Sequence, residues 1–450
     1  MKVIEPATEK ELADVPEAGI EQADAAVARA KAAFPGWRAV TPGDRAKLLR
    51  TFATAVADSA EHLANLETRN VGKPIVDARG EVGMVAEVLH YYAGAPERLL
   101  GNTIPVAGGV DMTFREPLGV VALIVPWNFP IAIASWKVGP ALAAGNTVVL
   151  KPAALTPLTA LELEKLALQA GIPEGVLNVV VGAGRTVGEH LVQHPDVAKV
   201  AFTGSTDVGK RIGALAAQSI KRVTLELGGK SANIVFADAD VEKAAASAPL
   251  AVFGNAGQDC CARSRILVER SAVDRFMAAL EKAVKALRVG DPLDDKTEMG
   301  PLISADHRTR VESYLSDGAR IAIRGSAPSG PGYWFPPTVL SPVAPTDRAA
   351  RDEIFGPVAA VIPFDDETDA VRIANDTVYG LSGSIWTNNA GRALRVARAL
   401  ETGTISINSN TSVRVTTPFG GFKQSGVGRE LGPNALDHYT ELKNVFLSTS

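Results

Sequence analysis

The chain has 450 residues, 46% of them hydrophobic and 21% charged, the balance of a folded protein with several well-filled cores rather than a disordered one. A formal net charge of −4 argues against a nucleic-acid partner, which would ask for a basic face. Residues 1–14 are polar and acidic with no apolar signal core, and the longest apolar run, at 120–125, is too short for a bilayer; the two cysteines, Cys260 and Cys261, are adjacent and make no disulfide framework, so the expectation is a cytoplasmic protein with no membrane partner and no metal.

Taken in chain order, residues 24–34, 44–66 and 81–99 carry helical periodicity in Ala-, Leu-, Glu- and Arg-rich sequence. The β-branched run 119–125, ending at Pro126, predicts a buried strand, 131–144 a helix and 146–151 a second strand. Helix over 157–170, strand over 176–181, helix over 186–193 and strand over 197–202 follow. Strands alternating with helices predict a parallel sheet, whose doubly covered strands should be continuously apolar, as these largely are. A second alternation begins near Gly228, with strands expected at 233–236, 265–268, 358–364, 383–386 and 403–407 and helices at 241–253 and 273–287. Two such units predict two domains with a cleft between them. The Gly- and Pro-rich stretch 327–337 predicts a surface loop, while 101–117 and the C-terminal tail fit neither unit and suggest assembly.

Cys260 closes the string Gly257-Gln258-Asp259-Cys260, between a predicted helix and a predicted strand. A thiolate is the best side-chain nucleophile towards a carbonyl; attack gives a hemithioacetal, and hydride loss from that carbon leaves a thioester. An inert buried cysteine is compatible with the same local sequence. Glu226, in Leu225-Glu226-Leu227-Gly228-Gly229-Lys230, sits where desolvation would raise its pKa towards a general base's working range, although a capping or surface glutamate fits equally. Asn128, in Pro126-Trp127-Asn128-Phe129-Pro130, follows an apolar strand and could offer its amide to a developing oxyanion or simply cap a rigid turn. The glycines of 182–188 follow a strand and open a helix, but their GxGxxxG spacing departs from the dinucleotide fingerprint. The string 202–209 is better placed: Gly204 and Ser205 would present backbone N–H groups at a helix N-terminus, where a pyrophosphate is favoured, and Lys151 at a strand end could reach a ribose or phosphate. An ordinary glycine-rich turn accounts for both strings as well.

Together, PWNFP at 126–130, KPA at 151–153, FTGSTDVG at 202–209, LELGGK at 225–230, GQDC at 257–260, EIFGPV at 353–358 and PFGGFKQSGVGRE at 418–430 stand in the order found in the aldehyde dehydrogenase superfamily, which the chain resembles over nearly its whole length. The resemblance implies an α/β fold of two parallel-sheet domains. These are a Rossmann-like cofactor domain (1–98 and 118–227) and a catalytic domain (228–438), joined by a small oligomerisation arm (99–117 and 439–450). It implies oxidation of an aldehyde to a carboxylic acid with NAD(P), Cys260 as nucleophile and Cys261 as a bystander, Asn128 sharing an oxyanion hole with the Cys260 backbone N–H, and Glu226 as general base. Lys137 and Glu430 match a proton relay behind that base, though Lys137 reads equally as an ordinary helix-face lysine. Glu353 would hold the nicotinamide ribose with Phe355 packing nearby. Ile124, Pro126, Trp127, Lys151, Ala154, Gly184, Phe202, Gly204, Ser205, Val208 and Leu227 match cofactor-contacting positions. The retained Glu226 argues against the CoA-acylating branch of the family and makes water the acceptor of the thioester. Arg222 matches an interface position whose usual partner is Glu441 in the tail, and residues 439–446 resemble a strand added to a neighbouring subunit, implying a homodimer or homotetramer. The start is short for the family, which puts the N-terminal strands in question.

NAD-specific relatives in this family often carry a glutamate where this chain has Ala154; without that repulsive carboxylate NADP is admitted beside NAD, and the lack of a following basic residue favours NAD. Phe129, Trp136 and Phe419 match the family's substrate tunnel, while Val413 stands where betaine- and amino-aldehyde enzymes often place an aromatic ring, leaving a cation cage incomplete. Asp259 is similar to the GQDC aspartate of aminobutyraldehyde dehydrogenases and would attract an ammonium, or else faces solvent. Trp136 stands where bacterial succinate-semialdehyde enzymes commonly place an arginine, a clamp that Arg263 or Arg414 could replace. The expected substrate is therefore an ω-aminoaldehyde such as 4-aminobutyraldehyde, ahead of a semialdehyde. A catalytically silent scaffold protein and a cofactor-free thiol esterase are the alternatives: the first should lack nucleophile or base, and the second would have no use for the nucleotide-site residues.

Overall fold

The structure is a computed structural model that describes residues 1–315, 318–411 and 413–449. Strands Val120–Ile124 and Thr147–Lys151 are buried at every residue, as parallel strands covered on both faces require. They form the middle of a six-stranded sheet ordered Gly426–Val427, Arg222–Glu226, Val197–Thr203, Val120–Ile124, Thr147–Lys151 and Leu177–Val179, parallel except for Gly426–Val427. From Val120–Ile124 the chain adds two strands on one side and then returns to the other. The carboxyl end of this central strand is thus the topological switch point, where such sheets open a crevice for ligands. The PWNFP turn begins there.

The second sheet has seven strands in the order Ile321–Arg324, Thr338–Leu340, Val358–Phe364, Arg265–Glu269, Ala232–Val235, Ser382–Trp386 and Thr404–Ile407, parallel except for Ile321–Arg324. Each sheet has its own apolar core, so the expected architecture of a Rossmann-like sheet beside a catalytic sheet is present. The two segments that fitted neither unit pair with each other: Thr440–Ser448 runs antiparallel along Gly109–Pro117, and Thr103–Val106 adds to the other edge. An ion pair between Arg222 and Glu441 ties this arm to the six-stranded sheet within one protomer.

Several helix and strand boundaries differ from expectation. The stretch 44–66 is two helices, Pro42–Asp58 and Ala60–Val71, broken at Asp58-Ser59, whose side chains favour caps over helix interiors. The stretch 81–99 starts earlier, at Ile75 behind Pro74, and ends at Ala93, before the short turn Pro96–Arg98. The helix expected from 186 opens as a π turn, Gly184–Gly188, before Glu189–Gln193. The N-terminal strands placed in question exist: Lys2–Glu5 pairs with Lys10–Asp14, and Val3 and Val15 bury against Val181. Helix Pro130–Ala143, with proline in its first turn, is buried at every position and carries Trp136 and Lys137 into the interior.

Candidate active site

Three loops distant in sequence lock together around Cys260. Behind helix Val241–Phe253 the chain passes through consecutive left-handed residues, Asn255 (φ 49°), Ala256 (φ 55°) and Gly257 (φ 70°). A Cβ at position 257 would lie 2.2 Å from the Gly356 carbonyl oxygen, so glycine is demanded both by the backbone conformation and by the close approach of the EIFGPV loop. Asn128 Nδ2 donates to Gln258 O (2.9 Å), Asn255 Nδ2 donates to Asn128 O (2.9 Å), and Ile303 N donates to Gln258 Oε1 (2.8 Å). These bonds fasten the switch-point turn of one sheet to the cysteine loop of the other. They engage one amide hydrogen of Asn128 and orient the second.

Two cavities meet at the cysteine. The first, of about 730 Å³, is walled by Pro126, Trp127, Asn128, Gly204, Ser205, Leu227, Glu353 and Phe355, together with His307 and Arg310. The second, of about 910 Å³, is walled by Phe129, Trp136, Glu226, Asp259, Val413, Phe419 and Glu430, together with Glu81, Met84 and Asn410. Cys260, Ile133 and Thr203 border both.

The electrostatics of the second cavity favour proton movement. The Cys260 thiol is held well above the usual range by its hydrogen bond with Cys261 and by burial, so it rests protonated and needs a base. Burial, reinforced by Glu430, also pushes Glu226 well above the usual carboxylate range, and Glu226 Oε2 has no partner among the described residues. Lys137 Nζ forms a buried ion pair with Glu430 Oε1, while Glu430 Oε2 has no partner among the described residues. A carboxyl group with a raised pKa beside a buried ammonium–carboxylate pair can take up a proton and hand it on.

In the first cavity, Glu353 Oε1 accepts from Gly229 N (2.8 Å), leaving Oε2 for a ligand, and burial raises this carboxyl to about 7. A Cβ on Gly228 would come 2.4 Å from Glu353 Oε2, so the paired glycines behind Glu226 make room for this carboxylate. Phe355 has φ 60°, uncommon for a residue with a side chain; His307 Nε2 binds its carbonyl oxygen at 2.6 Å and Trp127 stacks edge-on against it at 5.3 Å. Helix Thr206–Ala217 begins behind Ser205, whose side chain makes no capping hydrogen bond to the helix's first N–H groups. Lys151 Nζ donates to Pro152 O (3.0 Å), and burial lowers its pKa to about 8. Free N–H groups at a helix start complement a pyrophosphate, and a carboxylate with one open oxygen complements a ribose diol, so these residues fit a dinucleotide lying along the sheet edge.

The aldehyde dehydrogenase family model matches residues 1–445. The chain belongs to the aldehyde dehydrogenase family. This aldehyde dehydrogenase is 45% identical to an aldehyde dehydrogenase of Emericella nidulans, over 99% of this chain and 91% of that protein. It is 42% identical to the betaine aldehyde dehydrogenase of Bacillus subtilis, over 99% of this chain and 94% of the relative. The NAD+ complex of an aldehyde dehydrogenase from Bacillus cereus superposes with a TM-score of 0.98 at 43% identity, covering 100% of this chain and 93% of that one. The protein is an NAD(P)-dependent oxidoreductase of that family, and among the described residues no helix is long and apolar enough to cross a membrane.

Not every residue singled out from the sequence of this aldehyde dehydrogenase lies in a cavity wall. Ile124, Lys151 and Phe202 stand at or beside the carboxyl ends of their strands, Ala154 in the turn that follows Lys151, Gly184 at the π turn and Val208 exposed on the first turn of its helix. All are on the same sheet edge, beyond the first cavity. Asp259 borders the second cavity instead of facing solvent alone, with Oδ1 accepting from Cys261 N at 2.8 Å. Trp136 and Phe419 pack edge-to-face at 5.3 Å. Neither arginine offered as a substitute clamp lines the second cavity. Buried Arg263 donates to Ser384 Oγ (2.8 Å) and Cys261 O (2.6 Å), and Arg414 is exposed outside the wall. Sequence reasoning missed His307 and Arg310, which sit on the short polar helix Ala305–Glu312 with no periodic or motif signal. It also missed Glu81, whose two oxygens are held by Lys73 Nζ (2.7 and 2.6 Å). A carboxylate inside an amphipathic helix gives no hint that it borders a tunnel.

Proposed function

We propose that this enzyme oxidises an aldehyde to its carboxylic acid through a covalent thioester on Cys260, and that its substrate is an ω-aminoaldehyde such as 4-aminobutyraldehyde. The observation that carries the proposal is that Cys260 borders both cavities, with the Asn128 amide on one side and the Glu226 carboxyl on the other. Glu226 accepts the thiol proton and the sulfur adds to the aldehyde carbon. The resulting oxyanion is met by the second amide hydrogen of Asn128 and by the Cys260 backbone N–H. Bound NAD(P)+ supplies the hydride acceptor that turns the hemithioacetal carbon into a thioester. Glu226 first passes the thiol's proton to the Lys137–Glu430 pair, then takes a proton from the water that adds to the thioester; Cys260 leaves as thiolate and recovers that proton from Glu226.

For the cofactor, Ser205, Gly204 and the following helix N-terminus would hold the pyrophosphate, Glu353 the nicotinamide ribose, and Pro126, Trp127, Leu227 and Phe355 the apolar faces. Lys151, Ile124, Phe202, Ala154, Gly184 and Val208 would line the rest of its path, with NAD favoured over NADP because no basic residue follows Ala154. We assign residues 1–98 and 118–227 to cofactor binding, 228–438 to catalysis and 99–117 with 439–450 to the arm of a homodimer or homotetramer, in keeping with exposed Ile104, Phe114, Leu442 and Phe446 on its strands. A reducing cytoplasm suits a free thiol at this position.

The substrate assignment rests on charge. Among the described residues, the walls of the second cavity contain the carboxyl groups of Glu81, Glu226, Asp259 and Glu430 and no lysine or arginine. Burial raises the Asp259 carboxyl, and a bound ammonium would draw it back into the charged form, whereas both oxygens of Glu81 are already held by Lys73 Nζ. With Arg263 engaged elsewhere, a second carboxylate on the substrate meets no lysine or arginine among the described residues of the wall. Measuring kcat/KM for 4-aminobutyraldehyde, betaine aldehyde and succinate semialdehyde with NAD and NADP tests this. The free amine should exceed the carboxylate; the reverse order would overturn the substrate assignment, and no turnover with any aldehyde would overturn the mechanism.

A further inference from the structure

We propose that Lys73, buried behind the wall of the second cavity, is a specificity-determining residue that sets how the tunnel treats a charged aldehyde. Its ammonium engages two wall residues at once and withholds both from a substrate cation. Lys73 Nζ donates to both oxygens of Glu81 (2.7 and 2.6 Å) and lies over one face of the Phe129 ring, 4.3 Å from its centroid. Glu81 and Phe129 both line the second cavity, whereas the Lys73 side chain has no exposed surface and is not among the lining residues.

The ammonium is fixed by the same helices that build the tunnel. Lys73 stands in the short turn between helices Ala60–Val71 and Ile75–Ala93. Glu67, on the first of these, brings Oε1 to 3.9 Å from Lys73 Nζ. The same carboxylate accepts from Thr159 Oγ1 (2.8 Å) and from Ile131 N (3.4 Å), in the first turn of the helix that carries Trp136. Burial pushes the carboxyl groups of Glu67, Asp77, Glu81 and Asp259 upward, and the Lys73 charge draws each of them back. One buried cation thus faces four carboxyl groups, two of which border the tunnel.

Two physical effects follow for a cationic substrate. A ring that already bears a cation over one face attracts a second cation more weakly, because the two charges repel through it. A carboxylate whose oxygens are both engaged by an ammonium presents a dipole, not a free charge, to a third ion. A primary ammonium keeps a route to Asp259 through its N–H groups. A trimethylammonium has no N–H to donate and depends on aromatic faces and unpaired charge. Lys73 therefore acts hardest on quaternary ammonium aldehydes, and it does so through Phe129 and Glu81 without touching the substrate or moving a proton.

This inference rests on the second cavity being the path of the aldehyde, as proposed above. Betaine aldehyde and tert-butylacetaldehyde share one shape and differ by one charge, so the ratio of their kcat/KM values reads charge selectivity alone. In Lys73→Met this ratio should rise about tenfold over the parent, and in Lys73→Arg, which keeps a cation, it should stay near the parent value. Adding Glu81→Gln to Lys73→Met should take back part of the rise. If Lys73→Met does not fold, the neutral pair of Lys73→Gln with Glu81→Gln decides: its ratio should rise about threefold, through Phe129 alone. Where betaine aldehyde turns over too slowly to measure, choline and its carbon isostere tert-butylethanol, as competitors of hexanal, give the same ratio from inhibition constants. A ratio unchanged or lowered in either variant would overturn the proposal, as would Lys73→Arg matching Lys73→Met. Oxidation of no aldehyde at all by the parent would sink the proposed function instead, which keeps the two failures apart.

Discussion

The cavity on the cofactor side of Cys260 and the tunnel on its other side are built of different material. The first owes its shape largely to backbone: the start of helix Thr206–Ala217, the glycine at 228 that admits Glu353, and the left-handed Phe355. The tunnel is shaped by side chains from separate helices and loops, with Phe129, Trp136 and Phe419 as its aromatic surfaces and Glu81, Asp259 and Glu226 as its carboxyl groups. A surface made of backbone changes only when the chain takes another path, so it is written in short strings of restricted residues. A surface made of side chains changes one position at a time, which is how a common chemistry can be fitted to different aldehydes.

The largest effect should come where the two surfaces join. Cys260→Ser replaces the thiol by a far weaker nucleophile and should lower kcat by about 10³-fold or more, with NADH binding unchanged in a fluorescence titration. If that variant turned over normally, the two cavities would not meet at the reacting atom.

A smaller and one-sided effect is expected from the cofactor wall. Gly228→Ala puts a Cβ 2.4 Å from Glu353 Oε2, displacing that carboxylate, and should raise KM for the cofactor about tenfold while leaving KM for the aldehyde unchanged. An equal rise in both constants would show that the two walls are not independent.

The smallest effect is on pH dependence. With the Glu353 carboxyl raised to about 7, it is largely neutral below that pH and ionised above it, and the charged form is the stronger acceptor for a ribose hydroxyl. KM for the cofactor should therefore fall about threefold to tenfold as pH rises from roughly 6 to 8. Glu353→Gln should flatten this dependence without altering that of KM for the aldehyde.

The same contrast explains what could be seen in the sequence. Strand Val358–Phe364 and helix Val241–Phe253 have the ends expected of them, because continuous apolar runs and Ala-rich periodicity report burial directly. Strand Arg222–Glu226 escaped notice as a strand because its exposed, charged first residue breaks the apolar run, although its last residue was marked as a candidate base. The motif strings led to Cys260, Asn128, Glu226, Glu353 and Gly204, all of which border the cavities. His307 could not be anticipated, since its place follows from a hydrogen bond to a carbonyl 48 residues away. Nor could the engagement of Arg263, whose guanidinium meets Ser384 across the second sheet. Both are tertiary facts that no local pattern encodes.

The central claim is that substrate becomes attached to the sulfur at position 260. It is tested most directly by mixing the protein with NAD+ and saturating aldehyde, quenching in acid within the first turnover, and reading the acyl mass on the peptide containing both cysteines, with fragment masses separating them. Acyl group on Cys260 is expected, because the quench traps the thioester before water adds to it. Acyl group on Cys261, or unhindered turnover with no acylated peptide, would contradict it.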